Sequence, residues 1–304
     1  MSARPDLNLL VALHALLEEQ HVTRAAARIG VSQPAASTML ARLRRHFDDE
    51  LIERVGNRYE LTPLGAQLRA QSAGVLHLTE QLFYATAGFD PSTTEREFVL
   101  AASDYATVVL GPGLVAALAS QAPQAALRFI QLSELSETQQ AGTPTVDGLI
   151  APRGSYHLDE LPSLDLFSDE WVALVDHTNP VADGWPDPSR WKDLPWALAE
   201  PTSNESLFMA RRLVENGLRL RPRAITTGYL ALPSLVAGTD RIAIAQRRLA
   251  TVVPLPSGVR VVPCPFVTGP INEALWWHPV HTHDAGHKWF RRLVTDTAQL
   301  LDPH

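Results

Sequence analysis

The sequence predicts an α/β protein in two parts: a small helical head with a two-stranded wing, then a longer half of alternating strands and helices. Three observations carry this. Apolar residues recur at helical spacing through the first fifty residues, followed by a short strand pair at 51–61. A narrow apolar seam with steps of three and four runs on from there. Beyond a break rich in Pro, Ser and Thr at 89–94, strand and helix patterns alternate to the end, the mark of sheets with crossover connections.

Taking the elements in order, Leu9, Leu10, Leu13, Leu16 and Leu17 predict a first helix over 6–20. Thr23 is the expected N-cap of a short alanine-rich helix over 24–29, ended by Gly30. Its small residues Ala25, Ala26 and Ala27 let another helix cross closely. Ser32 caps a third helix, and Pro34 in its first turn costs little because those N–H groups have no intrahelical partner.

The third helix has two distinct faces. Ala36, Leu40, Leu43 and Phe47 form one stripe that must be buried. Pro34, Thr38, Ala41, Arg42 and Arg45 point the other way, with Gln33 at the exposed start and Ser37 at the edge. Short polar groups followed by arginines suit a helix that enters a DNA major groove while its later turns meet phosphate. The segment 51–61 forms a wing around the turn Gly56-Asn57.

The charge supports that reading once it is mapped. The chain of 304 residues carries a formal net charge of −7, of which −1 falls in residues 1–90 and −6 in the rest. Between His21 and His46 lie five arginines (Arg24, Arg28, Arg42, Arg44, Arg45) and no acid. The field that a phosphate backbone meets is local, so a basic face on an acidic chain is workable.

The seam comprises Leu61, Leu64, Leu68, Gln71, Val75, Leu78, Leu82, Ala85 and Phe89, a heptad pattern over a helix at 62–90 with Thr62 and Pro63 as cap and first turn. So narrow a stripe is better covered by a second copy of itself than by a globular core, which predicts a homodimer.

Beyond the break, strands are expected at 97–103, 127–132, 147–151, 170–175, 224–227, 241–245 and 273–277. Helices are expected at 107–121, 205–216, 230–237 and 285–301. In such lobes ligands sit at strand carboxyl ends facing helix N-termini. Three junctions qualify: Ser103-Asp104-Tyr105, Pro201-Thr202-Ser203 and Thr227-Gly228-Tyr229. Hydroxyls there would orient a ligand, with Tyr105, Tyr229 and Trp277 as apolar walls.

Other chemistries find little support. Hydrophobic residues at 45% and charged residues at 19% describe a globular protein with material for more than one core. The opening residues lead into an amphipathic segment rather than a signal sequence, and the longest apolar stretch, 106–119, is broken by Gly111, Pro112 and Gly113. A cytoplasmic protein without a membrane segment is expected. Cys264 is the single cysteine, which excludes an internal disulfide and fits a reducing compartment. The run Gly111 to Ala116 matches G-x-G-x-x-A with Glu134 downstream, but it starts well past the strand end and Pro112 lacks the N–H a pyrophosphate needs. His278, His281, His283 and His287 cluster without a His-Glu-x-x-His pattern. No G-x-S-x-G elbow occurs. No metal, cofactor or catalytic residue is therefore expected.

One resemblance joins these readings. The run Thr-Arg-Ala-Ala-Ala-Arg-Ile-Gly-Val-Ser-Gln-Pro-Ala-Ala-Ser at 23–37, with Leu43, the residues 51–54 and Leu61-Thr62-Pro63-Leu64-Gly65, resembles the amino-terminal domain of LysR-type regulators. Leu43-Arg44 stands where that family usually has Leu-Glu, as in its nodulation-regulator-like subgroup, and Asp48 stands where a glycine is common. Weaker likenesses continue at 101–105, Leu166-Phe167, 238–243, Trp277-His278-Pro279 and Trp289-Phe290-Arg291.

The resemblance implies a winged helix-turn-helix DNA-binding domain over 1–61, a dimerising linker helix over 62–90 and a two-lobed, periplasmic-binding-protein-like effector domain over 91–304. Lobe I would take 91–166 and 270–304, and lobe II 167–269, with the effector between them. The DNA-contacting residues would be Thr23, Arg24, Ser32, Gln33, Pro34, Ser37, Thr38, Arg42, Arg45 and the wing residue Arg54. The effector-contacting residues would be Ser103, Asp104, Tyr105, Thr202, Thr227 and Tyr229. Implied partners are double-stranded operator DNA, a small-molecule effector, further copies of the chain as dimer or tetramer, and RNA polymerase. A two-lobed ligand-processing enzyme tethered to DNA is the alternative.

Overall fold

The computed structural model describes residues 7–55, 58–83, 89–132, 146–154, 158, 160–199, 220, 222–265 and 269–301. The chain divides into two compact units between residues 86 and 87.

In the first unit, α1 (Leu7–Glu19), α2 (Val22–Arg28) and α3 (Gln33–Phe47) pack around Leu13, Leu16, Leu17, Ala25, Leu40 and Leu43. Strands β1 (Ile52–Val55) and β2 (Arg58–Leu61) pair antiparallel as the wing. The helix α4 (Pro63–Phe83) follows. Ser32 caps α3 as expected, its Oγ accepting from the Ala35 N–H. The cap of α2 differs from expectation. His21 takes that role, its Nδ1 accepting from the Thr23 N–H at 3.2 Å, so the helix starts before Thr23. An imidazole nitrogen facing the first turn does what a threonine hydroxyl was expected to do.

The junction from α3 through the wing to α4 is tightly tied. Asp49 accepts from the Leu51 N–H and the Thr62 hydroxyl, both at 2.6 Å. Thr62 Oγ1 in turn accepts from the Gly65 N–H at 2.9 Å, capping α4. These bonds hold Leu51 at φ 62°, a left-handed conformation unusual for a side chain that is branched and buried. A Cβ on Gly65 would fall inside the Leu51 carbonyl group.

The seam is put to more than one use, which corrects its expected extent. Leu61 ends β2, and Leu64 and Leu68 pack onto the core of α1–α3. At the far end Phe89 packs in the core of the second unit, 5.3 Å from Trp289 ring to ring. The expected helix is present over Pro63–Phe83, residues 84–88 with Ala85 lie outside the described residues, and the nearest apolar surface claims both ends of the stripe. Val75, between them, is 45% exposed.

The second unit contains two five-stranded sheets. The first holds β3 (Glu97–Ala102), β4 (Ala126–Gln131), β5 (Gly148–Pro152), β6 (Ser163–Asp169) and β12 (Ile271–Trp276) in the order β4-β3-β5-β12-β6. The second holds β7 (Trp171–Asp176), β8 (Trp196–Ala199), β9 (Pro222–Thr226), β10 (Ile242–Gln246) and β11 (Val259–Pro263) in the order β11-β7-β10-β8-β9. Both sheets are mixed. Four of the pairings run parallel, β3 with β4 and β5 and β8 with β9 and β10, and the other four are antiparallel. Helices α5 (Asp104–Gln121) and α8 (Ala285–Gln299) cover the first sheet. The short α6 (Leu232–Val236) and α7 (Leu249–Val252) lie on the second.

Strands β6, β8 and β11 were not expected. The first sheet keeps β6 through Asp169, so lobe I extends past 166 and the chain crosses to lobe II at Glu170. The expected helix at 205–216, the junction Pro201-Thr202-Ser203 and Glu134 lie outside the described residues. The glycine run at 111–116 lies inside α5, where Gly111 faces the Phe129 ring and Gly113 faces Thr297 of α8. Close packing accounts for these glycines.

Candidate nucleic-acid interface and lobe junction

All ten residues expected to meet DNA are exposed: Thr23 and Arg24 on α2, Ser32 before α3, Gln33, Pro34, Ser37, Thr38, Arg42 and Arg45 on α3, and Arg54 on β1. They surround the outward face of α3, whose other face is buried through Ala36, Leu40 and Leu43. Several are already positioned. Glu19 holds Arg24 and Arg28, each at 3.2 Å. The Thr38 hydroxyl donates to the Pro34 carbonyl at 3.0 Å, and Arg45 Nε donates to Ala41 at 3.4 Å.

Arg44 turns the other way. Its guanidinium donates to the Glu50 and Ile52 carbonyls at 2.9 and 3.0 Å and pairs with the Glu50 carboxylate at 3.0 Å. It therefore fastens the wing to α3, a role that the family's usual glutamate at this position could not fill with the same carbonyls. A glutamate accepts and cannot donate to a carbonyl.

In the second unit Asp104, Tyr105 and Tyr229, three of the expected ligand residues, meet at the lobe junction through contacts with each other, and Thr202 lies outside the described residues. Ser103 is buried and caps α5, its Oγ accepting from the Ala106 N–H at 3.1 Å. Asp104 reaches across to lobe II and accepts from the N–H groups of Tyr229 and Leu230 at 3.1 and 2.9 Å. Tyr105 is fully buried, its hydroxyl donating to Asp169 at 2.5 Å. Burial and the nearby Asp169 carboxylate push that hydroxyl well above the ordinary tyrosine range. The Tyr105 and Tyr229 rings meet edge to face at 6.4 Å. Thr227 is exposed. Trp277 lies elsewhere, which corrects its expected place as a wall. Its indole N–H donates to Thr282 and Arg291 covers its ring at 4.4 Å.

Beside the crossing at Glu170 lies an open depression of about 470 Å³ lined by Ser168, Asp169, Glu170, Arg247, Arg248 and Thr251. Arg247 pairs with Glu170. Arg248 donates to the carbonyls of Ser168 at 3.1 Å and Leu301 at 2.7 Å.

A polar network missed in the sequence binds lobe I together. Arg96 pairs with Asp147 at 2.6 Å and Asp284 at 2.8 Å. The second Asp147 oxygen accepts from the Val99 N–H at 2.8 Å. His287 is fully buried and stacks on His281 at 4.9 Å. Its Nε2 lies 2.5 Å from the Asp147 carbonyl and its Nδ1 lies 2.6 Å from Arg291. Arginine can only donate and a carbonyl can only accept, so His287 is the neutral tautomer with its proton on Nε2. Among the described residues no group of three or more His, Cys, Asp or Glu is arranged to hold a metal ion.

Burial lowers the His287 pKa to about 4 from an ordinary 6.5. The unfolded chain therefore binds a proton between those values that the folded unit refuses. Stability present above pH 6.5 is lost as pH falls towards 4. Thermal unfolding of the full chain across this window should show the loss, and His287→Gln, which binds no proton in either state, should flatten it.

Two family models match. "Bacterial regulatory helix-turn-helix protein, lysR family" covers residues 7–66, and "LysR substrate binding domain" covers residues 92–299. The chain belongs to the LysR family. Nodulation protein D 2 of Rhizobium tropici is 30% identical, covering 97% of this chain and 94% of the relative. Nodulation protein D 1 of Rhizobium meliloti (strain 1021) is 31% identical, covering 98% and 96%. A probable transcriptional regulator from Pseudomonas aeruginosa is similar in structure, with a TM-score of 0.71 and 29% identity over 96% of this chain and 97% of that one. This LysR-family chain is thus a transcription regulator with a DNA-binding helix-turn-helix domain and an effector-binding domain. The family likeness read at 23–37 and 61–65 is borne out.

Proposed function

We propose that the chain acts in the cytoplasm as a homo-oligomer that grips double-stranded operator DNA with the ten residues around α3, and that a small molecule at the lobe junction alters this grip. The carrying observation is the outward face of α3, polar at its start, arginine-rich later, with all ten side chains exposed. Ser103, Asp104, Tyr105, Thr227 and Tyr229 would border the effector, and Thr202 would join them. The reading contains no catalytic step, cofactor or metal. RNA polymerase is its further partner, since a transcription regulator must change how polymerase engages a promoter. No helix among the described residues is long and apolar enough to cross a membrane.

The test separates positioning from base reading. Arg42→Ala should weaken binding to all sequences alike and lower the salt slope by about one per subunit. Gln33→Ala should relax preference at one base pair per half-site, by roughly 1–3 kcal/mol. Titrations of operator and scrambled DNA at several salt concentrations measure both. Equal loss of discrimination in the two variants would refute the assignment.

Oligomerisation would run through the middle of the seam, since both its ends are engaged elsewhere. Leu78→Asp with Leu82→Asp should yield a monomer whose second unit still unfolds cooperatively. Light scattering that finds this double variant still dimeric would move the interface elsewhere.

A further inference from the structure

The Asp104 carboxylate stands at the start of α5 in lobe I, yet both its oxygens face lobe II. Oδ1 accepts from the Tyr229 N–H at 3.1 Å and from its neighbour Tyr105 at 2.8 Å, and Oδ2 accepts from Leu230 at 2.9 Å. Residues 104 and 229 are 125 apart in sequence, so this is a tertiary contact between lobes. The fit requires Gly228, because a Cβ there would occupy the space of the carboxylate itself. Paired backbone N–H groups at the start of a helical turn are where a protein usually receives an anion. Here the anion belongs to the chain.

The surroundings add to this. Asp169 accepts from the Tyr105 hydroxyl, and the charges of both Asp169 and Glu273 act on that hydroxyl. Tyr105 is thus held by a carboxylate at each end, Asp104 on its N–H and Asp169 on its hydroxyl. The cation beside Asp169, Arg248, is held by the carbonyls of Ser168 and Leu301. At the start of α5, the Ala106 and Thr107 N–H groups are taken by the side chain and carbonyl of Ser103.

We propose that Asp104 is a built-in anionic ligand that latches the lobes together, so that the effector acting at this junction carries no carboxylate or phosphate at that end. The second half rests on reading the junction as the effector site, whereas the latch itself does not. An incoming anion would have to displace Asp104 from the Tyr105, Tyr229 and Leu230 N–H groups that it already occupies. An uncharged group can enter with the latch closed.

Chemical rescue of the full-length chain tests both halves. Asp104→Ala should speed hydrogen exchange at the Tyr229 and Leu230 amides by about tenfold or more, the loss of two charge-assisted bonds. Formate at millimolar concentrations should restore protection by taking the vacated place, while formamide should not. Gly228→Ala should show the same fast exchange without rescue, because its Cβ blocks the formate too. Asp104→Asn, which keeps the shape and one acceptor, should fall between and covers the case in which the alanine variant does not fold. Unchanged exchange in Asp104→Ala and Asp104→Asn, or protection that formate does not restore, overturns the latch. Wild type should be unaffected by formate, acetate or benzoate, and slower exchange or a raised unfolding temperature with any of them overturns the exclusion of anions. Operator binding in the same samples reports separately on the regulatory reading.

Discussion

Replacing Asp147 with alanine should cost the second unit about 3–5 kcal/mol, the usual result of removing one partner of a buried ion pair. The carboxylate is 1% exposed and has two tasks. One oxygen neutralises Arg96, whose side chain is only 18% exposed. The other accepts from Val99 in β3. Alanine would leave a guanidinium short of a counter-charge and a strand N–H without its acceptor, and the adjacent backbone also supports His287. Most domains have total stabilities of roughly 5–15 kcal/mol, so the variant should stand near the edge of folding. Urea unfolding of the full chain should show the transition of the second unit moved to much lower denaturant. Asp147→Asn should lose less, because it keeps an acceptor. A transition unmoved by both changes would mean that Arg96 finds equal compensation in Asp284.

The first unit has its own sensitive point at Gly65. A methyl group there would enter the Leu51 carbonyl, and that residue already sits at φ 62° between Asp49 and Thr62. Neither side can yield without breaking a bond. Inserting a methyl group into a packed site costs typically 1–3 kcal/mol. Gly65→Ala is expected at the upper end because the obstacle is backbone. Leu51 leads directly into β1, so the displacement should carry the wing with it. Operator affinity should fall about tenfold or more, while the unfolding of the second unit should match wild type. Normal operator binding by Gly65→Ala would show that the wing is dispensable for the grip.

The parts of the fold legible in sequence are those whose signals are local. Helices α1 and α3 announce themselves by leucine spacing, and Ser32 and Thr62 by their place before a proline or a glutamine-proline pair. The central strands β3, β5, β7 and β10 are short apolar runs and were expected within a residue or two. What escaped has a different character. Strands β6 and β11 lie at sheet edges, half exposed and with polar residues interspersed, so no clean period marks them. Strand β8 has only four residues in a stretch crowded with tryptophan and proline. The residues of the lobe junction were legible as strand ends. Their engagement with each other was not, since Asp104 and Leu230 meet only after two lobes have formed. The Arg96 network joins positions 96, 147, 284, 287 and 291, and no local window contains them together.

The way the chain passes between its two lobes has a mechanical consequence. It crosses twice, once at Glu170 and once between Pro263 and Ile271. Two bodies joined at one point can turn about three axes, whereas joined at two they keep only rotation about the line through both. At the first crossing a single residue separates β6 from β7, and it is clasped by Arg247 on one side while Tyr105 and Arg248 hold its neighbour Asp169. No slack exists there for sliding or twisting. Whatever reaches the lobe junction therefore meets, at this crossing, a joint that can bend but has no length to give.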